Sequence, residues 1–362
     1  MTKRKASREE VAAGGESARL LSTDSRSREE RLTVGKALRQ SLAYDRHAVW
    51  KRPIKTRDPV KILAASNRGR LPELVPIRFG RMLRSPFTFL RGSAGLMAHD
   101  LATTPSTNLR VQACGDCHLM NFGLFATPER NLVFDINDFD ETLPAPWEWD
   151  VKRLAVSFAV ASRDAGHSDA QAREAAIECV RAYREHLRDF SKMSPLQVWY
   201  DRIDERRLVE MAPDVETAKR RKKFAQKARQ RIGEYLLPKI SSEVGGRRRL
   251  LDQPPILFHV DEKGDLVRAR EAMEDYRLSL SDSVRVLFDR YRLEDIAVKV
   301  VGIGSVGMRC LVGLFSTAEG DPLILQFKEA SRSVLAPYAG DSVYQNQGQR
   351  VVAGQRLMQS SS

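Results

Sequence analysis

The stretch Gly115-Asp116-Cys117-His118-Leu119-Met120-Asn121 places a carboxylate, Asp116, five residues before an amide, Asn121. A second polar stretch, Phe134-Asp135-Ile136-Asn137-Asp138-Phe139-Asp140, follows about twenty residues later. The apolar residues between Leu132 and Ile136 predict a short buried strand that leads into this second stretch. We therefore expect a loop that carries the first polar cluster and a strand that leads into the second one.

This spacing is typical of phosphoryl transfer, which needs a carboxylate near the attacking hydroxyl and oxygen ligands that hold Mg²⁺ against the phosphates. Protein kinases place a base Asp and a metal-binding Asn five residues apart, and a second metal-binding Asp after a strand. On this interpretation Asp116 orients and deprotonates the acceptor, whereas Asn121 and Asp138 bind the metal ion. The alternative for Asp116 is a capping or salt-bridging role. Asp135 and Asp140 are alternatives to Asp138, because the sequence does not separate the three.

The bulk composition indicates a globular protein with two lobes or domains, because a chain of 362 residues can bury a large core. A hydrophobic fraction of 42% with 30% charged residues is ordinary for such a protein. No apolar stretch approaches the roughly 20 residues that span a bilayer. The N-terminus, Met1 to Lys5, leads into polar residues rather than an apolar signal segment. We therefore expect a cytoplasmic protein without a transmembrane segment.

The chain is basic, with a formal net charge of +13, and much of the excess lies in a predicted helix from Lys219 to Arg231. The interpretation that we favour is a solvated helix face. The alternative is a partner such as nucleic acid or another anionic surface, bound through Lys219–Arg231. Only Phe224 and Tyr235 provide aromatic rings in this part of the chain, so base stacking has weak support.

The order of patterns along the chain predicts three regions. Residues 1–28 are polar and predict a disordered tail, and residues 29–292 predict a mainly helical lobe. Residues 293–362 predict a glycine-rich β lobe. Within the helical lobe, apolar residues at helical spacing predict helices around Val151 to Ala159 and Ala176 to Leu187. A β-hairpin is expected in residues 256–267.

The β lobe is predicted to contain three strands, namely Ile296 to Val301, Cys310 to Phe315 and Leu323 to Phe327. The turn Gly302-Ile303-Gly304-Ser305-Val306-Gly307 joins the first two strands, and Lys328 closes the third. Its glycines would let backbone N–H groups approach phosphates closely. The predicted nucleotide-binding residues are therefore Gly302, Gly304, Ser305, Gly307 and Lys328. A dinucleotide-binding fingerprint is the alternative, but it expects a helix next, and a strand is predicted there.

A set of short motifs lies between Arg81 and Ala330, and the resemblance that they carry covers roughly residues 30 to 362. They are Arg81-Met82, Ser85-Pro86-Phe87, Arg91-Gly92, Gly115-Asp116-Cys117-His118, Asn121-Phe122-Gly123, Asn137-Asp138-Phe139-Asp140-Glu141-Thr142, Trp147-Glu148-Trp149-Asp150-Val151-Lys152-Arg153-Leu154-Ala155, Gly302-Ile303-Gly304-Ser305-Val306-Gly307 and Gln326-Phe327-Lys328-Glu329-Ala330. Together they resemble the bacterial DUF2252 family, an uncharacterised group similar to kinase-like phosphotransferases. The resemblance makes Asp150 similar to the acidic residue that braces the catalytic loop of small-molecule phosphotransferases. The expectation of ATP and Mg²⁺ as cofactors rests on the residues themselves.

Two features depart from an ordinary kinase. The glycine-rich turn and Lys328 follow the catalytic loop, so the expected fold is an α+β, two-lobed, protein-kinase-like fold that is circularly permuted. The helix expected after Lys328, Gly348 to Gln359, contains no carboxylate that could pair with the lysine. The chain also ends at Ser360-Ser361-Ser362, earlier than we expect of this family, so part of the β lobe is expected to be missing.

Several alternatives remain open for individual residues. Cys114, Cys117 and His118 could bind zinc, or resemble a haem attachment motif, but Cys117 as simple packing is favoured. His118 is expected to brace the loop, with a role as acid or base as the alternative. Arg91 could bind an anion, although a structural role is favoured.

The expected function is a kinase-like phosphotransferase that uses ATP and Mg²⁺ to phosphorylate an unknown small-molecule or protein acceptor. One alternative is a non-catalytic nucleotide-binding module whose basic helix recruits a polyanion. The other alternative is a protein adenylyltransferase, because a kinase-like site can present the α-phosphate instead.

Overall fold

The computed structural model describes residues 26–51, 57–229, 233–245, 247–259 and 263–360, and it confirms a mixed α+β fold. The helices are α1 (Arg28–Ser41), α2 (Pro59–Ala65), α3 (Val75–Met82), α4 (Pro86–Gly92), α5 (Ala94–Leu101), α6 (Trp147–Asp164), α7 (Asp169–Phe190), α8 (Pro195–Tyr200), α9 (Glu205–Glu210), α10 (Val215–Arg229), α11 (Gly233–Ile240), α12 (Lys263–Ser279), α13 (Asp282–Phe288), α14 (Ala336–Ala339) and α15 (Gln347–Met358). Short 3-10 helices span Tyr44–Ala48, Pro72–Leu74 and Leu119–Asn121. Within the described residues, no helix combines the length and the apolar character needed to cross a membrane.

The strands form small antiparallel sheets. They are β1 (Arg110–Ala113), β2 (Phe122–Ala126), β3 (Leu132–Ile136), β4 (Leu143–Pro146), β5 (Ile203–Asp204), β6 (Ser241–Val244), β7 (Arg247–Leu250), β8 (Leu257–Phe258), β9 (Arg292–Lys299), β10 (Cys310–Ser316) and β11 (Pro322–Lys328). The sheet orders are β1-β4, β2-β3-β5, β6-β7 and β11-β10-β9-β8.

The chain divides into two compact units that are interleaved in sequence. Unit 1 contains residues 1–68, 79–222 and 330–362, and unit 2 contains residues 69–78 and 223–329. The predicted boundary between a helical lobe of residues 29–292 and a β lobe of residues 293–362 stays a prediction. The predicted disordered tail lies almost entirely in residues 1–25, outside the described residues, and α1 begins at Arg28 with Ser27 as its N-cap.

Unit 1 is built around α6, which packs against α7 and lies beside β1. The two predicted helices at this position are confirmed as α6 and α7. A capping box at Ser168 begins α7, because the Ser168 side chain accepts from the Gln171 N–H while the Gln171 side chain accepts from the Ser168 N–H. The Trp147 ring at the start of α6 stacks on Tyr183 of α7, with ring centroids 6.0 Å apart. This pair holds the first turn of α6 against α7.

A buried apolar cluster lies between the helices and the β1-β4 sheet of unit 1. Leu143 and Ala145 of β4 pack with Trp149 of α6 and with Leu335. Leu143 and Ala145 both lie on one face of their strand, as the two-residue period of a strand requires. The β1-β4 ladder is therefore anchored to the core on that face.

Unit 2 contains the four-stranded sheet, and the three strands predicted for the β lobe are confirmed as β9, β10 and β11. The predicted hairpin in residues 256–267 is wrong. Leu257 of β8 pairs with Lys299 of β9 instead, and α12 begins at Lys263. A hairpin does lie earlier in unit 2, where β6 pairs with β7 in a region that the sequence predicts as helical.

Candidate functional site

The two polar stretches are neighbouring connections between two antiparallel ladders. Ala113 ends β1 opposite Leu143 of β4, and Phe122 begins β2 opposite Ile136 of β3. The loop of residues 114–121 therefore runs from the first ladder to the second, and residues 137–142 run back. The predicted strand Leu132–Ile136 is confirmed as β3. This topology brings the two clusters side by side.

Asn121 joins the two connections. Its side-chain Nδ2 donates to the Asp116 carbonyl at 3.3 Å and to the Asp138 carbonyl at 3.0 Å. The backbone carbonyl of Asn121 accepts from the Asn137 N–H at 2.9 Å. Because carbonyl oxygens only accept, these contacts fix the orientation of the amide. The side-chain oxygen Oδ1 is thus the atom of Asn121 that can bind a metal ion.

Asp116 is oriented by a buried arginine from α6. Arg153 is 1% exposed, and its Nε donates to Asp116 Oδ1 at 2.8 Å while its Nη2 donates to the same oxygen. Arg153 Nη2 also donates to the Leu90 carbonyl at 2.8 Å. The side chain of Asp116 is 24% exposed. Because both donations go to Oδ1, the arginine fixes the carboxylate in a position from which Oδ2 can meet an acceptor.

Asp150 braces the loop from the first turn of α6, as the resemblance implies. Its carboxylate accepts from the Cys114 N–H at 2.6 Å and from the Gly115 N–H at 3.0 Å. Burial raises the pKa of Asp150, and these two N–H groups oppose that rise. The carboxylate therefore holds two consecutive backbone groups just before Asp116.

Gly115 is required at its position by conformation and by space. Its φ of +83° is in the left-handed region, which side chains rarely adopt. A Cβ atom there would also lie 2.4 Å from the Glu141 carbonyl oxygen. The absence of a side chain thus allows the loop to lie directly against the acidic segment.

The hydrogen bonds of the three candidate metal-binding aspartates distinguish Asp138 from Asp135. Asp135 Oδ2 accepts from the N–H of Ser360 at 2.9 Å and from its hydroxyl at 2.7 Å, so Asp135 is engaged with the C-terminal residues. Asp138 Oδ1 accepts from the Asp140 N–H at 3.1 Å. Arg350 of α15 donates to the Asp140 carbonyl at 2.9 Å. Asp138 is thus the aspartate that shares Asn121 with the loop, which favours it over Asp135.

The glycine-rich turn of unit 2 joins β9 to β10. Gly302 and Gly307 have φ angles of +66° and +87°. Val306 is fully buried, and the Gly307 carbonyl accepts from the Leu71 N–H at 2.8 Å. Lys328 ends β11 opposite Cys310. The predicted arrangement of strand, turn, strand and terminal lysine is present in unit 2, and nucleotide binding by it stays a prediction.

Comparison with known proteins connects these features to one family. Residues 70–362 match the family described as "Uncharacterized protein conserved in bacteria (DUF2252)". The chain belongs to the DUF2252 family. A search of curated proteins and a search of solved structures each found no match. The family match covers all the motifs on which the resemblance depends, including the loop around Asp116 and the glycine-rich turn.

His118 of this DUF2252 protein is 7% exposed, and its Nε2 lies 3.9 Å from Asp116 Oδ2. Burial lowers the pKa of His118, Asp116 raises it, and Arg153 and Arg91 lower it further. The net decrease favours the neutral ring near pH 7. Its Nδ1 is buried and has no hydrogen-bond partner in the part of the chain that the structure describes.

The zinc alternative finds no support in the structure. Among the described residues, no three His, Cys, Asp or Glu side chains are grouped so that they could bind a metal ion. A hydrogen bond to Cys117 and burial raise the pKa of the Cys114 thiol, which disfavours the thiolate that zinc requires. Magnesium differs, because it keeps several waters and needs only one or two carboxylates. Oxygen donors from Asn121 and Asp138 fit that requirement.

The sequence did not reveal the raised pKa of Glu141 or the pairing of Asp116 with Arg153. Burial raises the pKa of Glu141 to about 7, while the Val334 N–H, which donates to it at 2.7 Å, opposes that rise. Both Glu141 and Arg153 stand inside motifs of the resemblance. Their neighbours, however, are distant in sequence, so no local spacing identifies their roles.

The basic helix corresponds to α10, and Arg231 lies outside the described residues. Arg220 pairs with Glu216, and Arg221 donates to the Leu208 carbonyl at 2.8 Å. Ala225 is fully buried, so one face of α10 packs inward. Binding of nucleic acid or an anionic surface through this helix stays a prediction.

Proposed function

We propose that this DUF2252 protein is a kinase-like phosphotransferase that uses ATP and Mg²⁺ to phosphorylate a hydroxyl-bearing acceptor. The observation that carries the proposal is the bridging position of Asn121. One buried amide binds the backbone of Asp116 and the backbone of Asp138, so it links the proposed base to the proposed metal ligand.

In the proposed reaction, the acceptor hydroxyl attacks the γ-phosphorus of ATP, and the bond from this phosphorus to the β-bridging oxygen breaks. The acceptor proton passes to Asp116, and ADP leaves. Asp116 is suited to orient the hydroxyl because Arg153 holds one carboxylate oxygen and fixes the group. Mg²⁺, when bound by Asn121 and Asp138, would neutralise the charge of the phosphates.

The nucleotide is assigned to the glycine-rich turn and to Lys328 of unit 2. Gly302 and Gly307 adopt backbone conformations that only glycine adopts readily, as phosphate-binding turns often require. Lys328 would contact phosphate oxygens as a point charge. Since these features follow Asp116 in the chain, the proposal includes a circular permutation of the kinase-like order.

The test is incubation with γ-labelled and α-labelled ATP in parallel, with Mg²⁺ and a small-molecule extract as the source of acceptors. Transfer of the γ-label with formation of ADP is the expected result. Transfer of the α-label to protein would replace the proposal with adenylyl transfer. Binding of ATP without any transfer would instead support a non-catalytic module. The Asp116→Asn variant serves as the negative control for γ-transfer.

A further inference from the structure

A cation with an unsatisfied donor lies at the end of α4. Arg91 is half-buried, and its Nε is buried without a hydrogen-bond partner among the described residues. Burial lowers the pKa of Arg91, and the charge of Asp116 raises it. A partly desolvated guanidinium without a directly bonded partner is unfavourable, so the protein tolerates this arrangement at a cost in stability.

The neighbouring ring of His118 has a second buried nitrogen without a partner among the described residues. This nitrogen is Nδ1, and the whole residue is only 7% exposed. Arg91 is close enough to lower the pKa of His118, and Asp116 is close enough to raise it. Two unsatisfied nitrogen groups therefore lie near the same carboxylate.

Hydrogen bonds connect the end of α4 to Asp116. Arg153 Nη2 donates both to Asp116 and to the carbonyl of Leu90, the residue before Arg91. Arg153 and Arg91 share the single negative charge of Asp116, so an anion beside this carboxylate is also attracted by Arg91. The side chain of Ser93 donates to the Leu90 carbonyl and does not cap α5, so the positive end of α5 adds to the local potential.

We propose that Arg91 and His118, in the tautomer that carries the ring proton on Nδ1, form an oxyanion site beside Asp116 that binds a phosphate group. Guanidinium and imidazole N–H groups are suitable donors to phosphate oxygens. The bound phosphate is either the γ-phosphate of ATP or a phosphate carried by the acceptor. This assignment of its source rests on the proposed function, whereas the oxyanion site itself requires no nucleotide.

The experiment is calorimetric titration of inorganic phosphate, in chloride buffer of constant ionic strength, into the wild-type protein, Arg91→Met and Arg84→Met. Arg84 is an exposed arginine seven residues upstream, so its variant controls for the loss of one positive charge. Arg91→Met is expected to weaken phosphate binding about tenfold or more, because hydrogen bonds to charged groups contribute roughly 1.5–3 kcal/mol. Arg91→Lys is expected to recover part of the affinity. Equal loss in Arg84→Met, or no loss in Arg91→Met, would overturn the site.

A second pair of variants tests His118 without relying on Arg91. His118→Asn keeps an N–H donor near the position of Nδ1, whereas His118→Gln places its amide near the position of Nε2. Phosphate affinity is expected to be retained in His118→Asn and reduced in His118→Gln. The opposite order would contradict the role of Nδ1. Thermal unfolding with and without phosphate checks that each variant is folded, since phosphate should raise the melting temperature only where it binds.

Titrations of ATP and ADP distinguish the two sources of the phosphate. If Arg91→Met weakens binding of ATP but not of ADP, the site holds the γ-phosphate. If Arg91→Met weakens the binding of inorganic phosphate but changes the affinity of neither ATP nor ADP, the site holds the phosphate that the acceptor carries. A protein that binds no nucleotide would refute the proposed function, and the phosphate titration would still decide the oxyanion site.

Discussion

Asp116 and Asp138 differ in what holds them, although both are aspartates in polar loops. Asp116 Oδ1 is held by Arg153, a charged donor, whereas Asp138 Oδ1 accepts from the neutral Asp140 N–H. Because Arg153 fixes the orientation of the Asp116 carboxylate, positioning of the acceptor is the larger contribution that we expect from it. Asp138 is the proposed metal ligand because its backbone carbonyl accepts from Asn121, which places it beside the loop of Asp116.

This contrast predicts separate effects of two variants on nucleotide binding. Asp116→Asn should abolish turnover and leave ATP affinity largely intact, because the base contacts the acceptor rather than the nucleotide. Asp138→Asn should weaken the Mg²⁺-dependent part of ATP binding as well as turnover, because it removes a metal ligand. Each loss of turnover should be on the order of 10²-fold or more. Calorimetry and initial rates measure the two effects, and identical binding by both variants would refute these roles.

Glu141 predicts a pH dependence of stability. Burial raises its pKa from 4.5 to about 7, so ionisation is less favourable in the folded state than in the unfolded state. The wild-type protein should therefore lose stability relative to Glu141→Gln as the pH rises from about 4.5 to 7, by up to about 3 kcal/mol. Urea unfolding at pH 4.5 and pH 8 measures the difference. The matched control is Glu185→Gln on α7, where the carboxylate is 53% exposed, and it should show no comparable trend.

At the scale of elements, two ladders and one helix position the candidate site. The strand β3 and the helices α6 and α7 are predictable because periodicity is a local signal. The pairing of Asp116 with Arg153, 37 residues later, is not predictable from spacing. The prediction of a hairpin in residues 256–267 is wrong for a related reason. Two strand residues at 257 and 258 are too few to identify their partner, and this partner, β9, is distant in sequence.

The close approach of the loop to the acidic segment predicts a difference between two glycines. Gly115 and Gly166 have φ angles of +83° and +84°, but a Cβ atom at Gly166 would meet no atom within 4 Å. Gly166→Ala should therefore cost only the conformational strain, roughly 1 kcal/mol. Gly115→Ala should cost at least about 2 kcal/mol more, because Ala would press against the Glu141 carbonyl. Chemical denaturation compares the variants, and equal losses would show that the contact carries no strain.

The sheet of unit 2 contains a pH-sensitive contact around His259, the residue after β8. Its Nδ1 lies 2.8 Å from Asp252 Oδ1, and its Nε2 lies 3.0 Å from Asp295 Oδ2 of β9. Burial lowers the pKa of His259, but the hydrogen bonds and charges of Asp295 and Asp252 outweigh burial and raise it above 6.5. The charged ring thus stabilises the junction of β8 and β9.

The stabilisation by His259 should be complete below pH 6.5 and should decrease as the pH rises through the higher pKa of the folded state. The stability advantage of the wild-type protein over His259→Gln is therefore expected to be larger at pH 6 than at pH 9. Unfolding curves at both pH values measure it. His167→Gln, at an exposed histidine of unit 1, is the control and should show no such change. An advantage that grows with pH would contradict the protonated ring.

At the scale of the whole molecule, the proposed function depends on residues that are distant in sequence. Arg350 of α15 holds the carbonyl of Asp140, and Ser360 binds Asp135, so the last residues of the described chain stabilise the acidic segment. These contacts span more than 200 residues, and no local pattern predicts them. The family match predicts which segments matter, but the contacts between them follow only from the fold.

The proposed phosphotransferase also requires Lys328, which follows Asp138 by 190 residues. If Lys328 and Mg²⁺ bind the phosphates of one ATP molecule, then Lys328→Ala and removal of Mg²⁺ should each weaken ATP binding. Loss of a charged hydrogen bond predicts a reduction of about tenfold or more for the lysine. Calorimetry of the wild-type protein and Lys328→Ala, each with and without Mg²⁺, gives four affinities. Lys239→Ala, at an exposed lysine of α11 in the same unit, controls for the loss of charge. Four equal affinities would exclude Lys328 from the nucleotide site, and the glycine-rich turn would then have to be explained by packing alone.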